Sequence, residues 1–384
     1  MSSTLDEFKK YSAFPPQSDL VHKWKAGGRK IIGWACNYLP EEIIHAAGMM
    51  PYRVSGGVGE IKMEAADSVL HIYSCSFTRT CLQRLISGDY DFLDGFFNCG
   101  TCDGMRRLGD AWASKSVNAK IPLPYAISVP HKFHDRAEAL YADEFSRLRG
   151  IIEKDYGCKI TDEALVESIR LYNHTRRLLK RLYDLRKADS PPVSGYEVQE
   201  VLNAAVAMPR EEFNPLLEQF LKEVENRAGI DGDRPRLMIN GSIMNNPGFI
   251  KGIEDLGANL VIDSLCNGSR YFWGEVALES FDSPIDALAS YYLQKLPCPR
   301  VAPPEKRFEF INDLVKEFRV EGVISEIVRY CSLHIYDEPR VKARLEDVGV
   351  PSLTLEKEYT EAISGQVKTR VQAFIEMLRE RRAE

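Results

Sequence analysis

Three times in this chain a helical run ends in glycine and passes at once into a short apolar stretch: HAAGMMPYRV around Gly48, IEDLGANLVI around Gly257 and LEDVGVPSLTL around Gly349. A glycine just past a helix adopts the left-handed conformation that other residues resist, so the chain can leave the helix and enter a strand. Helices returned repeatedly to strands build parallel sheets. The device falls in both halves of the chain. It predicts an α/β protein with two related, doubly wound lobes flanking a helical layer, and the functional site in the inter-lobe crevice.

At 384 residues the chain exceeds a typical single domain. Residues 1–28 read as an N-terminal lead-in, and residues 29–132 as the first lobe. That lobe holds the strand RKIIGWAC, the helix PEEIIHAAG, the strand MPYRVSG, the apolar run FLDGFFNC, a helix GMRRLGDAWASK capped by Asp103, and the strand PLPYAISVP. The glycine loop from Val54 to Glu60 reads as a turn rather than a phosphate cradle. Residues 133–230 form the helical segment, with Thr161 or Asp162 as a cap and Pro191–Pro192 as a break. Within it RRLLKRLYDLRK, from Arg176 to Lys187, reads as a solvated helix face. Residues 231–384 form the second lobe, which closes with a long amphipathic helix.

A net charge of −6 gives no reason to expect a nucleic-acid partner. No run approaches the roughly 18 apolar residues of a membrane span, and the polar N-terminus lacks the apolar core of a secretion signal. The expectation is a cytoplasmic protein without a membrane partner, whose thiols stay reduced.

In that setting the cysteines carry the chemistry. Six of the nine sit where a strand or extended run gives way to a polar turn or a helix start: Cys36, Cys75, Cys99, Cys102, Cys266 and Cys331. In a parallel α/β sheet, ligands gather at the carboxyl ends of strands, so thiolates repeating that position are candidates to meet at one soft metal centre. Cys75, Cys102 and Cys331 each precede a predicted helix, whose N-terminal dipole favours thiolate. Cys99–Cys102 is a lone C-x₂-C without the second pair that a zinc ribbon needs. It is also compatible with a redox pair. Cys81, Cys158 and Cys298 read as packing cysteines.

The blocks GWACNYLPEEIIHAAGMMPYRV, CSFTRTCLQRLISGDYDFLDGFFNCGTCDGMRRL, DSLCNGSRYFW and YCSLHIYDEPRVKARLEDVGVPSLTLEKEY, in this order, resemble the catalytic subunits of the 2-hydroxyacyl-CoA dehydratase and benzoyl-CoA reductase family. The resemblance spans nearly the whole chain and implies two Rossmann-like, doubly wound lobes with a helical layer between them and an iron–sulfur cluster in the inter-lobe crevice. It implies a [4Fe-4S] cluster held by Cys75, Cys102 and Cys331, with one iron left open to a substrate oxygen, water or sulfide. It implies an acyl-CoA substrate, a dimeric core with a homologous subunit or a second copy, and a separate ATP-hydrolysing iron–sulfur activator that delivers low-potential electrons. This chain has no GxxxxGK[ST] phosphate loop of its own. The chemistry implied is radical: a reducing cluster at the thioester carbonyl generates a ketyl, and the protein positions it.

Cys36, Cys99 and Cys266 exceed the three-ligand minimum. They line and tune the crevice, or they bind further iron, as in the double-cubane cluster proteins of the same superfamily. The activities in view are thus a 2-hydroxyacyl-CoA dehydratase, a benzoyl-CoA reductase subunit, a double-cubane reductase of small molecules, and a non-catalytic electron-relay subunit. His334 and Glu41 are the candidate acid–base residues. Arg79, Arg106, Arg107 and Arg270 are candidates to balance cluster or phosphate charge.

Overall fold

The computed structural model describes residues 3–59, 61–295 and 298–383. Glu60, the last residue of the glycine loop, lies outside them. Two four-stranded, wholly parallel sheets organise the chain. The first contains β1 (Ile31–Trp34), β2 (Met50–Arg53), β3 (Gly95–Cys99) and β4 (Ala126–Ile127), in the order β2-β1-β3-β4. The second contains β5 (Arg236–Gly241), β6 (Asn259–Ser264), β7 (Gly322–Val328) and β8 (Ser352–Lys357), in the order β6-β5-β7-β8. The two lobes therefore share one topology, and the expected pair of Rossmann-like lobes is what the chain forms.

The glycine device works as the pattern requires. Gly48, Gly257 and Gly349 have φ of +74°, +90° and +74°, and β2, β6 and β8 follow directly. Every residue of β1, β2, β3, β5, β6 and β7 is buried. Burial on both faces is why these strands read as continuous apolar runs instead of alternating ones. In each sheet the first strand lies between the second and third. The chain thus leaves it in one direction and later returns to its other side, opening a crevice at the carboxyl ends.

Four long helices, Asp135–Tyr156, Asp162–Asp184, Gly195–Ala205 and Arg210–Glu225, fill the stretch between the two sheets in sequence. Thr161 caps the second through the Ala164 N–H at 3.2 Å, and Ser194 with Glu197 forms a capping box on the third. The run from Arg176 to Lys187, at the end of the second helix and the turn after it, departs from the solvated face expected of it. Arg177, Lys180 and Arg181 do face outward, but Arg176 and Arg186 are only 6% and 3% exposed.

Arg176 pairs with Glu42, which also accepts from the Tyr292 hydroxyl at 2.8 Å. Beside it Glu41 accepts from Arg210 at 3.1 Å and from the Tyr271 hydroxyl at 2.7 Å. Glu41, a candidate acid–base residue in the sequence, and its neighbour Glu42 therefore bolt the first lobe to the helical layer. Burial raises the Glu41 carboxyl despite Arg210. For Glu42 burial pushes the same way, but the Arg176 charge and hydrogen bond outweigh it and hold the group below its ordinary range. Among the described residues, no helix is long and apolar enough to cross a membrane.

Removing one partner of a fully buried pair strands the other charge. Arg176→Met is expected to lower stability by about 3–5 kcal/mol, read from the midpoint of urea unfolding. A loss below about 1 kcal/mol would show that Glu42 reaches water or another donor once Arg176 is gone.

Candidate functional site

The loops that leave the strands at their carboxyl ends deliver the cysteines. Cys36 follows β1, and Cys266 follows β6. Cys75, Cys102 and Cys331 each occupy the N-cap of a helix: Ser76–Ile86, Asp103–Ala113 and Ser332–Asp347. The Cys102 sulfur accepts the Met105 N–H at 3.5 Å, so sulfur holds the cap that the sequence suggested for Asp103, and Asp103 becomes the first helical residue. Tyr330 turns the chain from β7 into Cys331 with φ +63°, a left-handed conformation costly for a bulky residue.

These segments enclose a cavity of about 90 Å³ lined by Cys36, Cys75, Cys102, Cys266, Cys298 and Cys331. Five of these are cysteines singled out in the sequence. The sixth differs: Cys99 lies fully buried in β3 and outside the lining, while Cys298, read as a packing cysteine, takes a place in the wall. The segment LPCPR carries no strand-to-helix signature; its only distinguishing marks were the flanking prolines and Arg300. His334 also lines the cavity and is 5% exposed. Glu41 does not line it, being held in the Arg210–Tyr271 network. Arg79 is paired with Asp67 through Nε at 2.8 Å, and Arg107 is exposed beside Asp103 and Asp110 at 3.7 Å each.

A wider cavity of about 420 Å³ shares Cys75, Cys102, Cys331 and Leu333 with the inner one. Its walls include Leu70, His71, Tyr73 and Arg107, of which Tyr73 is 64% exposed. The inner thiols thus have a mouth on the protein surface.

The sulfurs differ in proton affinity. A hydrogen bond from the Cys99 thiol, helped by the Thr101 hydroxyl and opposed by burial, draws Cys36 down to about 5. Burial pushes Cys102 and Cys298 up to about 12. The hydrogen bond with Cys75, then burial, raises Cys331 well above the ordinary thiol range. Burial and the charges of Arg270 and Arg307 push His334 well below its ordinary range, leaving a neutral ring at neutral pH.

Around the same cavity, buried polar atoms lack hydrogen-bond partners: Asn37 Oδ1, Arg53 Nε, Ser242 Oγ, Arg300 Nη1 and His334 Nε2. Each such atom costs about 1–3 kcal/mol if nothing meets it. All but the asparagine oxygen can donate, which suits an electron-rich occupant. Among the described residues, no three His, Cys, Asp or Glu side chains stand close enough to hold a single metal ion. Six thiols ringing a cavity instead fit a polynuclear iron–sulfur group, which takes its thiolates on separate irons. The residues present therefore suit the cofactor that the resemblance implies.

The chain is similar to known proteins along nearly its whole length. The chain is 27% identical to the beta subunit of (R)-2-hydroxyglutaryl-CoA dehydratase of Acidaminococcus fermentans, over 98% of this chain and 100% of that protein. It is 29% identical to a benzoyl-CoA reductase subunit of Thauera aromatica, over 95% of each. It is 25% identical to the beta subunit of (R)-phenyllactyl-CoA dehydratase of Clostridium sporogenes, over 94% of this chain and 96% of that protein. Residues 36–378 match the family described as 2-hydroxyglutaryl-CoA dehydratase, D-component, a span that takes in every cavity cysteine from Cys36 to Cys331, and the chain belongs to that family.

Proposed function

We propose that this chain is an iron–sulfur subunit acting on an acyl-CoA thioester, most simply in the dehydration of a 2-hydroxyacyl-CoA. The observation that carries the reading is the convergence of helix-capping Cys75, Cys102 and Cys331 on one cavity with a surface mouth. Relatives named for two dehydratases and for benzoyl-CoA reductase support the thioester class.

Bound at these cysteines, a [4Fe-4S] cluster would supply low-potential single electrons, chemistry that side chains cannot provide. The protein does the rest. Cys75, Cys102 and Cys331 stand at three helix N-termini, whose dipoles favour a negatively charged group bound there. The mouth offers Leu70 and Leu333 to an acyl chain and His71 and Arg107 to its polar end. His334, buried and neutral with Nε2 free, holds or moves a proton at the cavity edge. The relatives are named as subunits, which supports a core of two polypeptides. With no phosphate loop in the chain, ATP-driven electron delivery falls to a separate activator.

A second reading is favoured by the other half of the cavity wall. Cys36, Cys266 and Cys298 complete a set of six thiols, enough for a double-cubane centre and a reductase of small molecules. Iron and acid-labile sulfide on anaerobically purified protein separate the two. About four irons per chain support the first reading, and about eight the second. Protein free of iron would sink both. In the first case Cys75→Ser, Cys102→Ser and Cys331→Ser each lose most of the iron while Cys298→Ser keeps it; in the second, Cys298→Ser loses iron as well. Cys158→Ser should match the parent.

His334→Gln is expected to keep its iron and lose about 10²-fold or more in turnover. Turnover within threefold of the parent would remove His334 from the chemistry. A chain that only relays electrons would hold the cluster but give no spectral response to a 2-hydroxyacyl thioester.

A further inference from the structure

Buried guanidiniums in this fold often meet a carboxylate: Arg176 meets Glu42, Arg210 meets Glu41 and Arg307 meets Asp337. Around the thiol cavity they do not. Arg53, Arg270 and Arg300 are 3%, 3% and 6% exposed, and no carboxylate pairs with any of them among the described residues. Arg53 donates to the Cys266 carbonyl at 3.0 Å. Arg300 donates to the Thr101 and Val129 carbonyls at 3.0 and 2.6 Å. Arg270 reaches the Gly241 and Ser242 carbonyls and the Cys266 sulfur, the last at 3.3 Å.

Each of the three also keeps one buried nitrogen without a partner: Nε in Arg53 and Arg270, Nη1 in Arg300. Arg186 and Arg236 likewise have no carboxylate partner, yet neither lines the cavity or donates to one of its sulfurs. A buried cation without a counter-charge is strongly unfavourable. For the three at the cavity, a counter-charge is available from what the cavity holds. Six sulfurs, once deprotonated, are the negative groups at hand.

We infer that Arg53, Arg270 and Arg300 form a cationic cage that balances the charge of the thiolate-bound cluster and thereby sets its reduction potential. The inference rests on the iron–sulfur reading above. Its sign follows from Coulomb's law: an added electron is stabilised beside fixed positive charge, and more so in a buried, weakly polarisable site. Each guanidinium therefore moves the potential upward. The three are positioning residues, acting on the cluster through their field.

The test compares Arg53→Gln and Arg300→Gln with Arg53→Lys and Arg300→Lys in the anaerobic, full-length protein. Iron content is measured, and the potential is read by a redox titration followed by electron paramagnetic resonance. The glutamine variants should keep iron and shift to a more negative potential, while the lysine variants stay near the parent. Loss of iron in a glutamine variant, with retention in the matching lysine variant, supports the same conclusion. Unchanged potentials at full iron content would overturn the cage, as would equal shifts or equal iron loss in both members of each pair. A parent protein without iron would instead remove the iron–sulfur reading beneath it.

Discussion

Parallel strand pairing governs where chemistry can sit in this molecule. A parallel strand cannot be returned by a tight turn; it needs a crossover over a face of the sheet. All strands of a sheet then end on one edge, and the helices that follow begin there. In this chain both sheets obey the rule in the same strand order, and their carboxyl edges share one cavity. Cys36 and Cys102 arrive from the loops after β1 and β3, Ser242 from the loop after β5, and Cys266 and Cys331 from those after β6 and β7. The N-termini of three helices arrive with them.

That constraint also explains what could be read from the sequence. Gly48, Gly257 and Gly349 mark helix ends through a purely local conformational need, so the α/β alternation was legible. Cys75, Cys102 and Cys331 were legible for the same reason: a strand-to-helix junction is a local pattern. Cys298 was not, because its segment reaches the cavity by a tertiary path that no neighbouring residue announces. Arg176 was not, because its partner Glu42 lies 134 positions earlier and nothing in RRLLKRLYDLRK distinguishes one arginine from the next. The cap at Cys102 escaped for a chemical reason. Sulfur is a weak acceptor, and the aspartate beside it is the stronger cap by type.

The interior sorts its charges into two kinds. At the helix Glu41–Ala46, acids and guanidiniums are matched one to one and hold the helical layer against the first lobe. At the thiol cavity, guanidiniums donate, among the described residues, only to carbonyl oxygens and one sulfur. The first arrangement is complete by itself and serves structure. The second leaves buried donors unmet at the cavity, which the proposed cluster would answer.

The cavity wall draws on residues from Ala35 near the start of the chain to His334 near its end. A chain still emerging from the ribosome presents Cys36, Cys75 and Cys102 before the residues of the second sheet exist. It cannot bury them, because the opposite wall has not been synthesised. Throughout that interval these sulfurs face solvent, where oxidants reach them most readily. The long sequence separation that makes the finished site well enclosed therefore makes its cysteines most vulnerable during biosynthesis, before the molecule has any activity to lose.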